Sequence, residues 1–229
     1  MVTERRAHIA FSYWSDPLCI WAFVAQDKLD RLLARHGEAL QVSYHVVPVF
    51  GSLRWRFEQG PWAQDGVEGR VAKTAEIAAR FGHPEVSGDG WRSVCDGSSW
   101  SPGAAIKAAW LLEHEGAAPA GCCERYQRAL RAAFFVDGRN VVERETQLAV
   151  ADEQGIDKDA VARALDDGRA MAALWEDHQR REALGIQGSP TYVFDDGRAM
   201  LYGNVSEGVI VATVDELLSG AAPGRSECG

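Results

Sequence analysis

The sequence predicts an α/β fold in three stretches: a β–α–β start, a large inserted helical block and a β–β–α end. Three observations predict it. A β-rich run, His8 to Tyr13, leads into Ala22, Ala25, Leu29, Leu32 and Leu33, which recur at roughly helical spacing. Apolar spacing stays helical through most of Val67 to Leu184. Near the other end, the short β-prone runs Thr191–Phe194 and Ala199–Tyr202 flank Asp195-Asp196-Gly197-Arg198, a hairpin turn signal.

Leu40 to Phe50 reads as the second strand. Val42, Tyr44 and Val46 share one face, Ser43, His45 and Val47 the other, and Pro48 ends the regular ladder. Strand, helix and strand then form a βαβ unit, which requires a parallel pair and a right-handed crossover. Gly51 to Gly66 reads as an irregular, aromatic-rich segment holding Trp55, Phe57 and Trp62. Helical spacing runs from Val67 to Phe81. His83 to Pro102 reads as a long connection of the kind that is often functional. Helices follow at Pro102–His114, with Ser101 as its cap, at Gly121–Phe135 and at Val141–Gln154. Asp157–Leu184 is helical with a break at Asp167-Gly168, and Val209–Leu218 is the last helix. The domain reading is residues 6–60 with 185–220 as one discontinuous domain, 61–184 as a helical insertion, and 221–229 as a flexible tail.

The 229 residues are 46% hydrophobic and 25% charged, the composition of a globular protein. A net charge of −9 argues against a broad nucleic-acid surface. No apolar run is long enough to span a membrane. Met1 to Arg6 lacks the features of a signal peptide, so the expected location is cytoplasmic. The five cysteines, Cys19, Cys95, Cys122, Cys123 and Cys228, are odd in number, and no pair has Cys-x-x-Cys spacing. Neither a zinc site nor a disulfide framework is expected, and no metal ligands are assigned.

Cys19 is the candidate nucleophile; position alone fits equally a small buried cysteine at a helix start with no chemistry. It sits where a strand turns into a helix, and the first helical N–H groups and the helix dipole favour a thiolate there. The expected thiol pKa is therefore below the reference of about 8.5. Asp16 supplies a capping side chain, and Pro17 suits a first helical turn.

The stretch Ser15-Asp16-Pro17-Leu18-Cys19-Ile20-Trp21 resembles the active-site turn of the DsbA-like branch of the thioredoxin superfamily. That branch includes FrnE-type oxidoreductases, 2-hydroxychromene-2-carboxylate isomerases and kappa-class glutathione transferases. Its redox members carry Cys-Pro-Trp-Cys; this chain reads Cys19-Ile20-Trp21-Ala22, so the proline and the second cysteine are replaced. Gly185-Ile186-Gln187-Gly188-Ser189-Pro190-Thr191 resembles the family's Gly-Val-x-Gly-Val-Pro-Thr segment. The resemblance implies a cis Pro190 beside Cys19, with Ser189 offering backbone groups to a ligand. Asp96 to Ala105 resembles the segment that opens an inserted helix facing the cleft, which brings in Ser99 and Trp100. Phe134 to Asn140 resembles a turn of the same insertion. The whole order then implies a thioredoxin-like core with a large inserted helical domain.

The site expected from this resemblance has Cys19 as the catalytic residue and Ser15, Trp21, Ser99, Trp100, Ser189 and Pro190 as substrate-binding residues. Trp55, Phe57, Trp62 and Trp100 would form the insertion's side of the cleft. His45 is a candidate base if its strand face looks towards Cys19, and Cys95 a candidate distant resolving thiol.

The first functional expectation is a monothiol thiol–disulfide oxidoreductase or thiol transferase. The second is a non-redox isomerase or transferase that uses a thiol cofactor and acts on an aromatic small molecule. The third is a catalytically degenerate binding protein. No tightly bound cofactor is expected. The expected partners are a low-molecular-weight thiol of the glutathione or mycothiol type, a disulfide or an aromatic substrate; neither nucleic acid nor membrane is among them, and a homodimer is left open.

Overall fold

The structure, a computed structural model, describes residues 8–220. The expected tail at 221–229, with Cys228, and residues 6 and 7 of the expected first domain lie outside the described residues.

The cysteine turn is presented by the central strand of a four-stranded sheet. Strand β1 (Ile9–Ser15) leads through Cys19 into α1 (Ile20–Val24) and then, after Ala25, into α2 (Gln26–His36). The chain returns as β2 (Leu40–Val46), parallel to β1 with Tyr13 opposite Tyr44 and Trp14 opposite His45. The helices α3 (Leu53–Glu58), α4 (Gly66–Arg80), α5 (Gly90–Ser93), α6 (Trp100–His114), α7 (Cys122–Phe135), α8 (Arg144–Glu153), α9 (Lys158–Asp166) and α10 (Arg169–Leu184) follow. The sheet is completed by β3 (Thr191–Phe194) and β4 (Ala199–Tyr202), and α11 (Glu207–Leu218) packs against it. The strand order is β2-β1-β3-β4, with β3 antiparallel to both of its neighbours. The expected parallel pair and C-terminal hairpin are both present.

Being central, β1 is apolar on both faces. Ile9, Phe11 and Tyr13 share one core with Leu29 and Leu32 of α2 and Ile210, Val214 and Leu217 of α11. Trp14 turns the other way and packs with Val47, Ile186 and Val193. The hairpin turns where the sequence signals it: Asp195 and Asp196 both take positive φ, a conformation that Asp tolerates better than most residues.

The helical block is built around α6, which is buried on almost every side from Pro102 to Ala109. Gly103 lets it approach the sheet, since a Cβ there would lie 3.1 Å from Val46 Cγ1. Its one buried cation, Lys107, pairs with Asp177 of α10 at 3.1 Å. Leu18, Cys19, Ile20, Ala22 and Val24 belong to the same core as these helices, so the helical block packs directly onto the cysteine turn.

Two stretches differ from the sequence reading. Residues 51–66 are not irregular throughout: Ser52 Oγ accepts from the Trp55 N–H and starts α3, a local cap worth about 1 kcal/mol. The connection 83–102 is pinned at its middle by Trp91. That ring is fully buried among Phe50, Phe57, Trp62 and Phe134, and its Nε1–H donates to Thr74 Oγ1 at 2.9 Å. Helix α6 also starts earlier than expected, at Trp100, with Ser99 rather than Ser101 at its N-cap position.

Trp91→Ala should lower the unfolding free energy by about 3–5 kcal/mol, the range for emptying a large aromatic site. Thr74→Val should cost about 1–3 kcal/mol, because it leaves the indole N–H buried without an acceptor. Urea unfolding checks both, and unchanged midpoints would show that this cluster does not hold the connection.

Candidate active site

Three segments distant in sequence meet at Cys19: the β1–α1 turn, the chain just after β2, and the loop before β3. Asp16 joins them. Its Oδ1 accepts from the Leu18 N–H at 2.7 Å and its Oδ2 from the Val49 N–H at 2.6 Å. Its own N–H donates to Ser189 Oγ at 2.8 Å, and its carbonyl accepts from the Cys19 N–H at 3.2 Å. Asp16 has no exposed surface. Burial pushes its carboxyl up to about 6, against the hydrogen bonds from Ser99, Val49 and Leu18 that hold it down.

Cys19 is 5% exposed and lies at the N-cap position of α1. Its Sγ–H donates to the Ser189 carbonyl at 3.3 Å, and the Ser189–Pro190 peptide bond is cis. Residues 170 positions apart are thus in direct contact. The next position one turn along is Ala22, whose N–H donates to the Cys19 carbonyl at 3.0 Å.

The thiol's ionisation runs against the sequence expectation. Burial pushes the Cys19 thiol above its ordinary value; the Asp16 charge adds to this, while Ser189 and the backbone N–H groups of Ala22 and Trp21 oppose it. The helix is only five residues long, so its dipole is weak, and desolvation prevails.

Beneath the turn lies a buried arginine that the sequence did not disclose. Arg131 of α7 is 3% exposed, and its Nη2 donates to Ser15 Oγ at 2.5 Å. Gln127, one helical turn earlier, donates to the same oxygen at 2.8 Å. Burial pulls the Arg131 guanidinium down, and Tyr13, Cys19 and Asp16 pull it back up, so its charge faces the cysteine turn from within the core. The spacing of Gln127 and Arg131 on one helix face was readable, but their burial beneath Ser15, more than 100 residues away, was not.

Two expected substrate-binding residues are therefore corrected. Ser15 has no exposed surface and is held by Gln127 and Arg131; it supports the turn and cannot meet a ligand. Ser99 is also fully buried: its Oγ accepts from the Phe50 N–H at 3.2 Å, and its hydroxyl helps hold Asp16. Trp21 is half-buried, edge-on to Phe81 at 6.0 Å. Trp100 is half-buried and packs on His178 at 5.6 Å. Of the expected cleft aromatics, Trp62 packs on Phe50 and Trp91, Phe57 packs on Trp62 and Trp91, and Trp55 stands 51% exposed.

His45 is not placed as a base for Cys19. Its ring stacks on Trp14 at 4.2 Å, and its Nδ1 pairs with Asp177 at 2.7 Å, because its strand face meets α10. Cys95 is half-exposed, with its Sγ 3.9 Å from the Arg92 carbonyl. Cys122 and Cys123 are buried against the carbonyls of Ala109 and Ile106 on α6. Among the described residues no cluster of His, Cys, Asp or Glu is disposed to hold a metal ion.

A model of the DSBA-like thioredoxin domain matches residues 104–214. That stretch, just under half of the chain, is similar to a DSBA-like thioredoxin domain. The fold of the chain is that of the DsbA-like proteins, with helices inserted between β2 and β3. A structure described as a probable DsbA oxidoreductase from Streptomyces coelicolor superposes with a TM-score of 0.73 at 20% identity, over 96% of this chain and 94% of that one. The cytosolic disulfide reductase DsbM from Pseudomonas aeruginosa gives 0.63 at 22% identity, over 92% and 95%. A 2-hydroxychromene-2-carboxylate isomerase gives 0.63 at 16% identity, over 91% and 95%. In sequence, the ClpXP adapter protein SpxH of Halalkalibacterium halodurans is 27% identical over 195 residues, 83% of this chain. The match spans 60% of that relative's length. Among the described residues, no helix is long and apolar enough to cross a membrane.

Asp16→Asn should shift the pH profile of Cys19 alkylation to lower pH, since it removes a negative charge beside the thiol. The native Asp16 carboxyl titrates near 6 against about 3.9 when unfolded, so its protonated form favours the folded state. That contribution is complete below about pH 4 and is lost by about pH 6. The stability of the wild type relative to Asp16→Asn should therefore fall as pH rises through this window. A difference independent of pH would contradict the burial assigned to Asp16.

Proposed function

We propose that this chain is a DsbA-like monothiol enzyme in which Cys19 exchanges with a low-molecular-weight thiol or its disulfide. The observation that carries this reading is the contact between Cys19 Sγ and the carbonyl before cis-Pro190, made by a cysteine with an alanine, not a second thiol, one turn further on.

In the exchange, Cys19 loses its proton to solvent base and the thiolate attacks one sulfur of R–S–S–R. A Cys19–S–S–R bond forms, the original disulfide breaks, and R–S⁻ leaves and takes up a proton. An external thiolate R′–S⁻ then attacks the R sulfur, R–S–S–R′ departs, and Cys19 is regenerated. The electrons balance between the two small molecules, and the protein returns unchanged. Once the Cys19 sulfur carries R, the Ser189 carbonyl has lost its S–H donor and is free to accept an N–H from the ligand. Trp21 and Pro190 would wall the bound thiol. Ser15 and Ser99 act behind the turn, as positioning residues.

A second reading is a thiol-cofactor-dependent isomerase or transferase. One observation favours it: burial holds Cys19 as a neutral thiol near pH 7, suited to donate a hydrogen bond to a bound cofactor thiolate. The fold shared with the isomerase is compatible with it. Both readings place a small thiol beside Cys19.

Exposure to oxidised glutathione should leave a mixed disulfide that persists until a thiol is added, because Ala22 cannot resolve it. Cys19→Ser should abolish this adduct. Ala22→Cys should shorten its lifetime at least tenfold by supplying a resolving thiol one turn away at high effective concentration. Intact-mass measurement over time checks all three. Rapid spontaneous loss of the adduct from the wild type would contradict the monothiol reading, and Cys95→Ser would then identify the resolving thiol.

A further inference from the structure

We infer that Arg56 and Arg70 form a carboxylate-reading pair beside Cys19, so that the thiol this site takes is an anionic one. The inference rests on the reading that a small thiol binds at Cys19, and it names that thiol's chemical class.

The two guanidinium groups come from successive helices, α3 and α4, and share one aromatic platform. Arg56 lies 5.2 Å and Arg70 4.4 Å from the centre of the Trp62 ring. Arg56 also covers Phe50 at 5.0 Å, and Arg70 covers Trp91 at 4.9 Å. Because Trp91 is fixed in the core, the platform is rigid.

The pair is held by rings and one carbonyl, not by acids. Arg56 Nη2 donates to the Val49 carbonyl at 2.8 Å. Arg70 Nε is buried and has no acceptor. Among the described residues neither side chain is in an ion pair, although most other arginines of the chain are. A guanidinium has five N–H donors in a planar fork that matches a carboxylate, and a desolvated one without an anion is costly. Burial already pulls Arg70 down to about 10, which still leaves it cationic at neutral pH.

The pair's field reaches the cysteine turn. Arg70 couples electrostatically to Cys19, and Arg56 to Asp16. Val49 gives the structural link: its carbonyl anchors Arg56 while its N–H holds Asp16. Asp65 and Lys73 line the shallow hollow beside Arg70 and Trp62, adding one charge of each sign, so the surplus there is positive. A chain of net charge −9 would otherwise repel an anionic ligand. These observations favour a thiol that carries one or more carboxylates, as glutathione does, over a neutral sugar-linked thiol.

Calorimetric titration with S-methylglutathione, which cannot form a disulfide, tests the pair apart from any chemistry at Cys19. Binding to the wild type should weaken about tenfold or more when both carboxylates of this probe are esterified, and should weaken as salt rises. Arg70→Gln should reproduce that loss, and Arg56→Gln with Arg70→Gln should remove the difference between acid and ester. The comparison of acid with ester needs only the wild type, so misfolding of a variant cannot hide the result. Equal binding of acid and ester, or no binding of the acid at millimolar concentration, would overturn the inference. Adduct formation separates the two claims. If Cys19 reacts equally fast with anionic, neutral and cationic disulfides, the arginine pair fails and the exchange reading stands. If S-methylglutathione binds with the expected preference while Cys19 forms no adduct, the pair stands and the exchange reading fails.

Discussion

The Asp16 carboxylate accepts N–H groups from Leu18 and Val49 while its own N–H donates to Ser189 Oγ, and the rest of the site follows from that arrangement. These contacts fix the turn that carries Cys19, the chain leaving β2 and the loop before β3. Ser189 completes the circuit, because its side chain receives the Asp16 N–H and its carbonyl receives the Cys19 thiol. A buried carboxylate of this kind is costly unless its lone pairs are filled. Here two backbone donors fill them, Ser99 adds a hydroxyl, and Arg131 supplies a cation from below.

The same burial decides the chemistry. A helix start was expected to favour a thiolate, but α1 is short and Cys19 is almost enclosed, so the neutral thiol prevails. The opposing influences are the hydrogen bonds with Ser189 and with the backbone N–H groups of Ala22 and Trp21. A Cys19 thiolate would in turn favour the charged forms of Arg131 and Arg70. Reactivity at Cys19 is therefore set by a balance between desolvation and these hydrogen bonds.

Much of the fold was legible because it is written in local patterns. The β1–helix–β2 unit, the helical middle and the Asp195–Arg198 hairpin follow from apolar periodicity and turn residues that act over a few positions. The contact between Cys19 and Ser189 was legible only through the resemblance of two short motifs, since nothing local joins residues 170 apart. What the sequence did not disclose depends on burial. Ser15 and Ser99 carry side chains a ligand could use, yet packing places both behind the turn. Alternation along β2 could not say whether the His45 face looks towards Cys19; it meets Asp177, which also pairs with Lys107, an arrangement settled by how α10 and α6 cross the sheet. The burial of Arg131 emerges only when the core that encloses it is assembled.

Peptide mapping of the native protein after exposure to oxidised glutathione tests the central claim most directly, because it locates the sulfur that the Asp16 arrangement presents. The account predicts a glutathione mixed disulfide on Cys19, with buried Cys122 and Cys123 unmodified. Modification confined to Cys95, the half-exposed thiol that faces the Arg92 carbonyl, would contradict it.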